Sequence, residues 1–320
     1  MKSLSSALTL VALLVVSLAV GSRALPLADV LSALAGNGPA DIHNIVWGMR
    51  IPRGLLACLA GGSLALAGVL AQAWTRNPLA DPGIVGITAG ARFAIALAAI
   101  AGVGGGLWTQ GVLALLGALV ATGVVLLVAR TTSDSMTLIL VGVGINAMLM
   151  ALTMLLALQS ESVFNDMRQW SVGSTVGRGY GEVLVALVGF LIAFLVSIVV
   201  ARDLDILAMG SDTAAALGIS VNRTLALVIT ALVVAAGSAT AVVGPVAFLG
   251  LAAPHMVRSL GLVTVRDLLL PTVLVGSILA VLADMIGRLA LRPGEVEFSV
   301  VLAAIGAPLM IWLIRKGARL

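Results

Sequence analysis

Long apolar runs separated by brief polar punctuation dominate the chain. A helix needs about 20 apolar residues to cross the hydrocarbon core of a bilayer. Runs of that kind occur at Leu4–Val20, Leu55–Trp74, Ile84–Val103, Leu107–Ala129, Met136–Leu158, Val183–Ala201, Arg223–Val243, Pro245–Val257, Leu268–Leu289 and Ser299–Ile314. The pattern predicts ten transmembrane helices, the eighth short and interrupted by Pro245 and Pro254. No run alternates with period two, so the strands of a membrane barrel are not expected. Lys2 before the first run and the small residues at Ala19–Ala24 also leave open a cleaved leader in its place.

Composition removes the soluble alternative. The 320 residues are 61% hydrophobic and 10% charged, with a mean hydropathy of +1.18. A soluble domain is about a quarter charged, and a chain this apolar cannot dress itself in a polar exterior. The reading is an all-α integral membrane protein, a single transmembrane domain over residues 1–320 in contact with membrane lipid. The 36 glycines let its helices approach closely. Sixteen of the 18 basic residues are arginine, scattered singly and with no aromatic interleaving, so no nucleic-acid partner is indicated. The single cysteine, Cys58, excludes a disulfide framework or a thiolate metal site.

Charge placement sets the orientation. With the N-terminus inside, inner segments hold Lys2, Arg76, Arg130, Arg202, Arg223, Arg258, Arg266, Arg315, Lys316 and Arg319, and outer segments hold Arg23, Arg50, Arg53, Arg168, Arg178, Arg288 and Arg292. The bias follows the positive-inside rule weakly, and both termini fall inside. The outer arginines run against that rule. They point either to headgroup anchoring or to an acidic partner, since a guanidinium forms bidentate pairs with carboxylates. Trp47, Trp108 and Trp170 mark one membrane interface, and Trp74 and Trp312 the other.

Missing chemistry narrows the function. A P-loop needs Gly-Lys-Ser/Thr, yet the only lysines are Lys2 and Lys316, and neither follows a glycine. The two histidines, His43 and His255, make no zinc-protease motif. Only Asp284 lies deep in an expected span, and Arg288 one turn later can neutralise it. That leaves a permease powered by other subunits, an ion-coupled secondary transporter, or a channel or scaffold without an energy source. The last lacks any ring-forming filter loop.

Three segments carry more detail. The first holds Arg50-Ile-Pro-Arg53, Gly61-Gly62-Ser63, Gly68 and the turn Thr75-Arg76-Asn77-Pro78-Leu79-Ala80-Asp81-Pro82-Gly83. The second, the inner loop Asp203–Asn222, contains Met209-Gly-Ser-Asp-Thr-Ala-Ala-Ala-Leu-Gly218. There Ser211 is expected to cap a short helix, Asp212 to suit its positive end and Gly218 to end it. Such a helix is either a docking knob for a soluble partner or an interfacial connector. The third runs from Gly237 through Gly244-Pro245, Pro254-His255, Arg258, Pro271 and Asp284 to Pro308. Its prolines must free backbone groups that neighbours re-satisfy, and His255 is expected to hydrogen-bond at a helix end. Gly62, Gly68 and Pro78 echo Gly237, Gly244 and Pro254, which fits an inverted repeat of helices 2–5 and 7–10.

In this order and spacing the segments resemble the permease subunits of the iron-siderophore, haem and vitamin B12 family of ABC importers, of the type II architecture. Residues 210–218 and 237–258 look most like the ferric-enterobactin branch. One departure is Glu295-Val-Glu-Phe-Ser299, where many members carry Glu-Leu-Pro-x-Gly. The resemblance implies two ATPase subunits, which hold ATP and magnesium while this chain binds no cofactor. It also implies a second permease chain, identical or related, and a periplasmic or lipid-anchored binding protein, all at the bacterial inner membrane. It places Arg50, Arg53 and Arg288 as receivers of the binding protein's acidic residues. Ser211, Asp212, Ala215, Ala216, Leu217 and Gly218 match the coupling helix that enters the ATPase. Thr131, Thr132, Ser133 and Ser135 fall at the position of the cytoplasmic gate, and Asn77, Pro78, Pro254 and His255 at turns beside the pathway.

Overall fold

The computed structural model describes residues 2–103, 106–129, 135–159, 161–292 and 294–317. Every regular element among them is helical. Helix α1 (Lys2–Ala19) leads to the short α2 (Leu27–Leu34) and α3 (Ala40–His43). A π-helical turn, Asn44–Arg50, then runs unbroken into α4 (Ile51–Thr75). There follow α5 (Ile87–Ile100), α6 (Leu107–Ala129), α7 (Ser135–Ala157), α8 (Glu161–Ser171), α9 (Tyr180–Leu207), α10 (Ser211–Ala216), α11 (Val221–Val243), α12 (Leu249–Arg258), α13 (Val265–Ala290) and α14 (Phe298–Gly317).

A helix occupies each of the ten apolar runs, but among the described residues only six have the length and apolarity to cross a bilayer: Ala40–Thr75, Trp108–Val128, Leu140–Ala157, Tyr180–Leu207, Val221–Val243 and Val265–Ala290. Leu4–Ala19, Ile87–Ile100 and Phe298–Trp312 are shorter apolar stretches. The shortening has local causes. Asp81-Pro82-Gly83 opens a 3-10 turn, and Gly86, at φ +85°, resets the chain before α5. Gly244 (φ +80°) and Phe248 (φ +68°) hold Pro245–Ala247 out of helix, so α12 has only 10 residues. A non-glycine residue at positive φ is costly, so Phe248 marks a bend that the surrounding packing imposes.

Helix α4 forms the axis of the bundle and packs against α9, α11, α12 and α13. It can be buried on nearly every side because its middle is built from Ala60, Gly61, Gly62, Ala65, Ala67, Gly68 and Ala71. Where α4 crosses α13, a Cβ on Gly61 would lie 2.5 Å from the Gly276 carbonyl oxygen, and one on Gly276 would lie 2.6 Å from that of Gly61. Small residues thus let the two backbones touch, which stands in for the hydrophobic drive absent in lipid. Gly90 and Gly117 do the same for α5 and α6. By contrast, α6, α7 and α9 leave large apolar side chains outward, among them Val120, Met154 and Val199. Trp47, Trp108 and Trp312 are exposed as an interfacial belt requires, but Trp170 is not. It is 5% exposed and packed in the core, near the end of α8.

Candidate functional site

At the end of the bundle that carries α2 and α3, five charged side chains meet. Asp284 Oδ1 accepts from Arg53 Nε at 2.8 Å and from the Thr175 hydroxyl at 2.8 Å, while Oδ2 accepts from Arg288 Nη2. Arg53 Nη1 also donates to Glu295 Oε2 at 2.6 Å. Arg50 Nη1 donates to the Leu18 carbonyl at 2.5 Å and Nη2 to that of Arg23. Arg288 Nη1 reaches the carbonyls of Ser17 at 3.1 Å and Val20 at 3.3 Å. Ser17 and Leu18 belong to the last turn of α1, whose carbonyls have no partner within the helix and carry its negative dipole end. Two arginines therefore cap α1, and the whole cluster ties α1, α4, α13 and the linkers holding Thr175 and Glu295 into one unit.

The three arginines singled out in the sequence differ in exposure. Arg50 is 6% exposed and Arg288 2%, so neither presents a free cation to a partner. The α1 carbonyls and the Asp284 carboxylate, not the aqueous phase, compensate their charge. Arg53 and Glu295, with side chains 13% and 26% exposed, are the part of the cluster that reaches the surface. The structural pairing of Asp284 with Arg288 is present as the i, i+4 spacing implies.

The opposite end presents α10. Gly210, not Ser211, occupies the N-cap with φ +125°, and Ser211 is the first helical residue. Asp212 sits in the first turn as expected. Gly218, at φ +80°, donates to the Ala215 carbonyl and Ile219 to that of Ala214, both at 3.0 Å. That pair of bonds is a Schellman motif, which needs the left-handed glycine at this point. Ala214 is the buried anchor, while Ser211, Asp212, Ala215, Ala216, Leu217 and Gly218 are exposed, Leu217 at 63%. The last turns of α9, which lead into α10, are tied to three other helices. Arg76 Nη2 at the end of α4 donates to the Leu207 carbonyl at 2.6 Å, Asp205 accepts from Val265 N–H of α13 at 2.6 Å, and Asp203 accepts from the Thr224 hydroxyl of α11 at 3.2 Å. α10 itself packs on α9 and α11, and it reaches α4 and α13 through the end of α9.

Between the two ends the helices are broken, and side chains repair the breaks. Pro254 in α12 leaves the Gly250 carbonyl without its helical donor. Gln72 Nε2 of α4 supplies one at 3.3 Å, and Arg258 Nη1 in turn bonds Gln72 Oε1. The carbonyl comes this near because Gly68 has no side chain, and a methyl there would overlap the Gly250 backbone. Gln72 is absent from the sequence reading, since only the fold brings it beneath Pro254. His255 Nδ1 is buried with no hydrogen-bond partner among the described residues. At the foot of α4, Arg76 takes φ +50° and Asn77 Oδ1 accepts from Leu79 N–H at 2.9 Å, so the exposed Pro78 sits in an Asx turn. Burial pushes the Asp81 carboxyl up, opposed by the Gly83 N–H it accepts at 2.8 Å. Thr131, Thr132 and Ser133 lie outside the described residues, and Ser135 opens α7.

A cavity of about 430 Å³ lies beside these breaks, lined by Asp81, Thr88, Ser171, Pro245 and Ser299 among others. Thr88 lies on α5, and Arg92 is one turn further on. The charge of Arg92 within the run Ile84–Val103 is legible in the sequence, but it belongs to none of the three segments singled out there. Among the described residues, no group of three His, Cys, Asp or Glu side chains could hold a metal ion.

Comparison with known proteins agrees with this architecture. The model of the FecCD transport family matches residues 9–316. The ferric enterobactin transport system permease protein FepD of Escherichia coli (strain K12) is 43% identical, over 95% of this chain and 91% of that protein. The vitamin B12 import system permease protein BtuC of Salmonella typhimurium is 36% identical, over 92% of this chain and 93% of that one. A structure of a metal-chelate type ABC transporter in an inward-facing conformation superposes with a TM-score of 0.87 at 28% identity, covering 98% of each chain.

Proposed function

The chain belongs to the FecCD transport family, and from that premise we propose that it is the permease subunit of an ATP-driven importer carrying an iron-siderophore complex or a related metal chelate across the bacterial inner membrane. Hydrolysis falls to two ATPase subunits that dock at α10, and a second permease chain completes the pathway. A soluble binding protein delivers cargo at the α2/α3 end. The proposed topology has ten spans with both termini cytoplasmic. In it, α1, α5, α12 and α14 cross with help from their neighbours, and α4–α7 and α11–α14 form the inverted repeat.

The observation that carries this reading is α10. It is a short exposed helix with a rigid glycine stop, and the end of α9 that leads into it is bonded to α4, α11 and α13. Closure of the ATPases moves α10, and those bonds transmit the motion along the axis of the bundle to the charge cluster at the far end. An ion-coupled carrier has no comparable support, since the buried Asp284 carboxylate is already shared by two guanidiniums. Leu217→Arg tests the reading: it should abolish co-purification of the ATPase and ATP-driven uptake without changing the melting temperature. Full co-purification and uptake in that variant would contradict it.

A further inference from the structure

Most of the outward apolar side chains belong to the spanning helices, where lipid covers them. Val263 does not. It sits in the link between α12 and α13, outside every stretch long and apolar enough to cross a bilayer. It is 83% exposed, more than any other large apolar side chain among the described residues. The link that carries it is anchored on both sides. Gly261 turns the chain at φ +87°, Leu262 packs against the main core, and Val265 is buried. The Thr264 hydroxyl accepts from Asp267 N–H at 3.1 Å and caps α13. Val263 is therefore held outward between Leu262 and Val265. Ser259, Leu260, Thr264, Arg266 and Asp267 are exposed around it, which sets it at the aqueous boundary and not in hydrocarbon. An apolar surface rimmed by polar residues marks a contact site.

This link adjoins α10. Asp205 accepts from Val265 N–H at 2.6 Å, and Met209, one helical turn beyond Asp205 and 72% exposed, directly precedes the N-cap of α10. Met209 and Leu217 on one side, and Leu260 and Val263 on the other, thus come from two loops that meet at the end of α9. Size makes the second loop relevant. A stable contact between proteins takes about 800 Å² and about 20–30 residues from each side. Helix α10 has six residues, and Ala214 among them is buried, so a partner seated on it must touch surface beyond it.

We propose that the ATPase subunit seated on α10 also closes over the link 259–264, covering Val263 and Leu260 with an apolar patch of its own. The inference rests on the reading of α10 above. It is tested by titrating the purified ATPase onto the complete permease pair in nanodiscs. In parallel, a benzophenone side chain introduced in place of Val263 is photo-activated in the assembled transporter. Val263→Asp is expected to weaken ATPase binding about tenfold, as a charge set into the covered centre of a contact does, with the melting temperature and binding-protein affinity unchanged. The benzophenone is expected to crosslink to the ATPase. Should Val263→Asp not accumulate, Leu260→Asp carries the same expectation. Wild-type ATPase affinity in the variant that accumulates overturns the inference, as does a benzophenone adduct to lipid alone. If Leu217→Arg abolishes ATPase binding while Val263→Asp leaves it intact, the contact stops at α10 and the transport reading stands. If Leu217→Arg also binds the ATPase as wild type does, the reading of α10 itself falls.

Discussion

Asp284→Asn isolates the charge cluster. The carboxylate and the Arg288 side chain are each 2% exposed, and among the described residues Asp284 is the only anion that Arg288 contacts. The amide keeps the size of the side chain and an acceptor for the Thr175 hydroxyl, but it leaves Arg53 and Arg288 facing one another with Glu295 as the only remaining carboxylate. Breaking a buried pair by removing one partner costs about 3–5 kcal/mol. At about 2 °C per kcal/mol, appropriate to a large chain, the melting temperature should fall by roughly 6–10 °C. Cys58, the single cysteine, gives the assay: a thiol-reactive fluorophore reports on α4, where the Cys58 carbonyl accepts from the Ser277 hydroxyl of α13 at 2.8 Å. Adding Arg288→Gln to Asp284→Asn should recover about 1–3 kcal/mol, the coupling expected of residues in one network. A melting temperature for Asp284→Asn within about 1 °C of wild type would refute the claim that Asp284, through Arg53, holds α13 to α4.

Three further outcomes follow from the packing. Arg50→Met strands the carbonyls of Leu18 and Arg23, so it should cost about 1–3 kcal/mol in thermal unfolding while leaving affinity for the binding protein, read by surface plasmon resonance, unchanged. Arg53→Glu should instead weaken that affinity. Gly68→Val should prevent accumulation of folded protein, because its side chain would overlap the Gly250 backbone, whereas Gly123→Val, with open space around it, should express and melt as wild type. Burial holds the Asp81 carboxyl above its ordinary 3.8, so its contribution to stability is present below that pH and is lost as pH rises through the higher folded value. Asp81→Asn keeps an acceptor for Gly83 N–H and should flatten that part of the profile of melting temperature against pH.

The apolar runs located every long helix, because twenty-residue periods of hydropathy are set by the bilayer and need no tertiary information. They overstated α5 and α12, since Gly86, Gly244 and Phe248 take positive φ for reasons that lie in their neighbours rather than in hydropathy. The α10 segment was legible almost residue by residue, as capping is local chemistry. Ser211 was displaced by one position because Gly210 adopts the N-cap conformation more readily. The arginine cluster was legible only as composition. Which cations face out depends on where the end of α1 falls, and Arg50 and Arg288 lie 32 and 271 residues from the carbonyls that claim them. Gln72 was invisible for the same reason: it acquires its meaning from a helix distant in sequence.

The most direct measurement of the central claim is uptake into vesicles held at zero membrane potential, containing this chain with its partner permease, ATPase and binding protein. Uptake of a ferric chelate that starts on adding ATP, stops with a non-hydrolysable analogue and disappears with Leu217→Arg is what the account predicts. Accumulation driven by an ion gradient without nucleotide would contradict it.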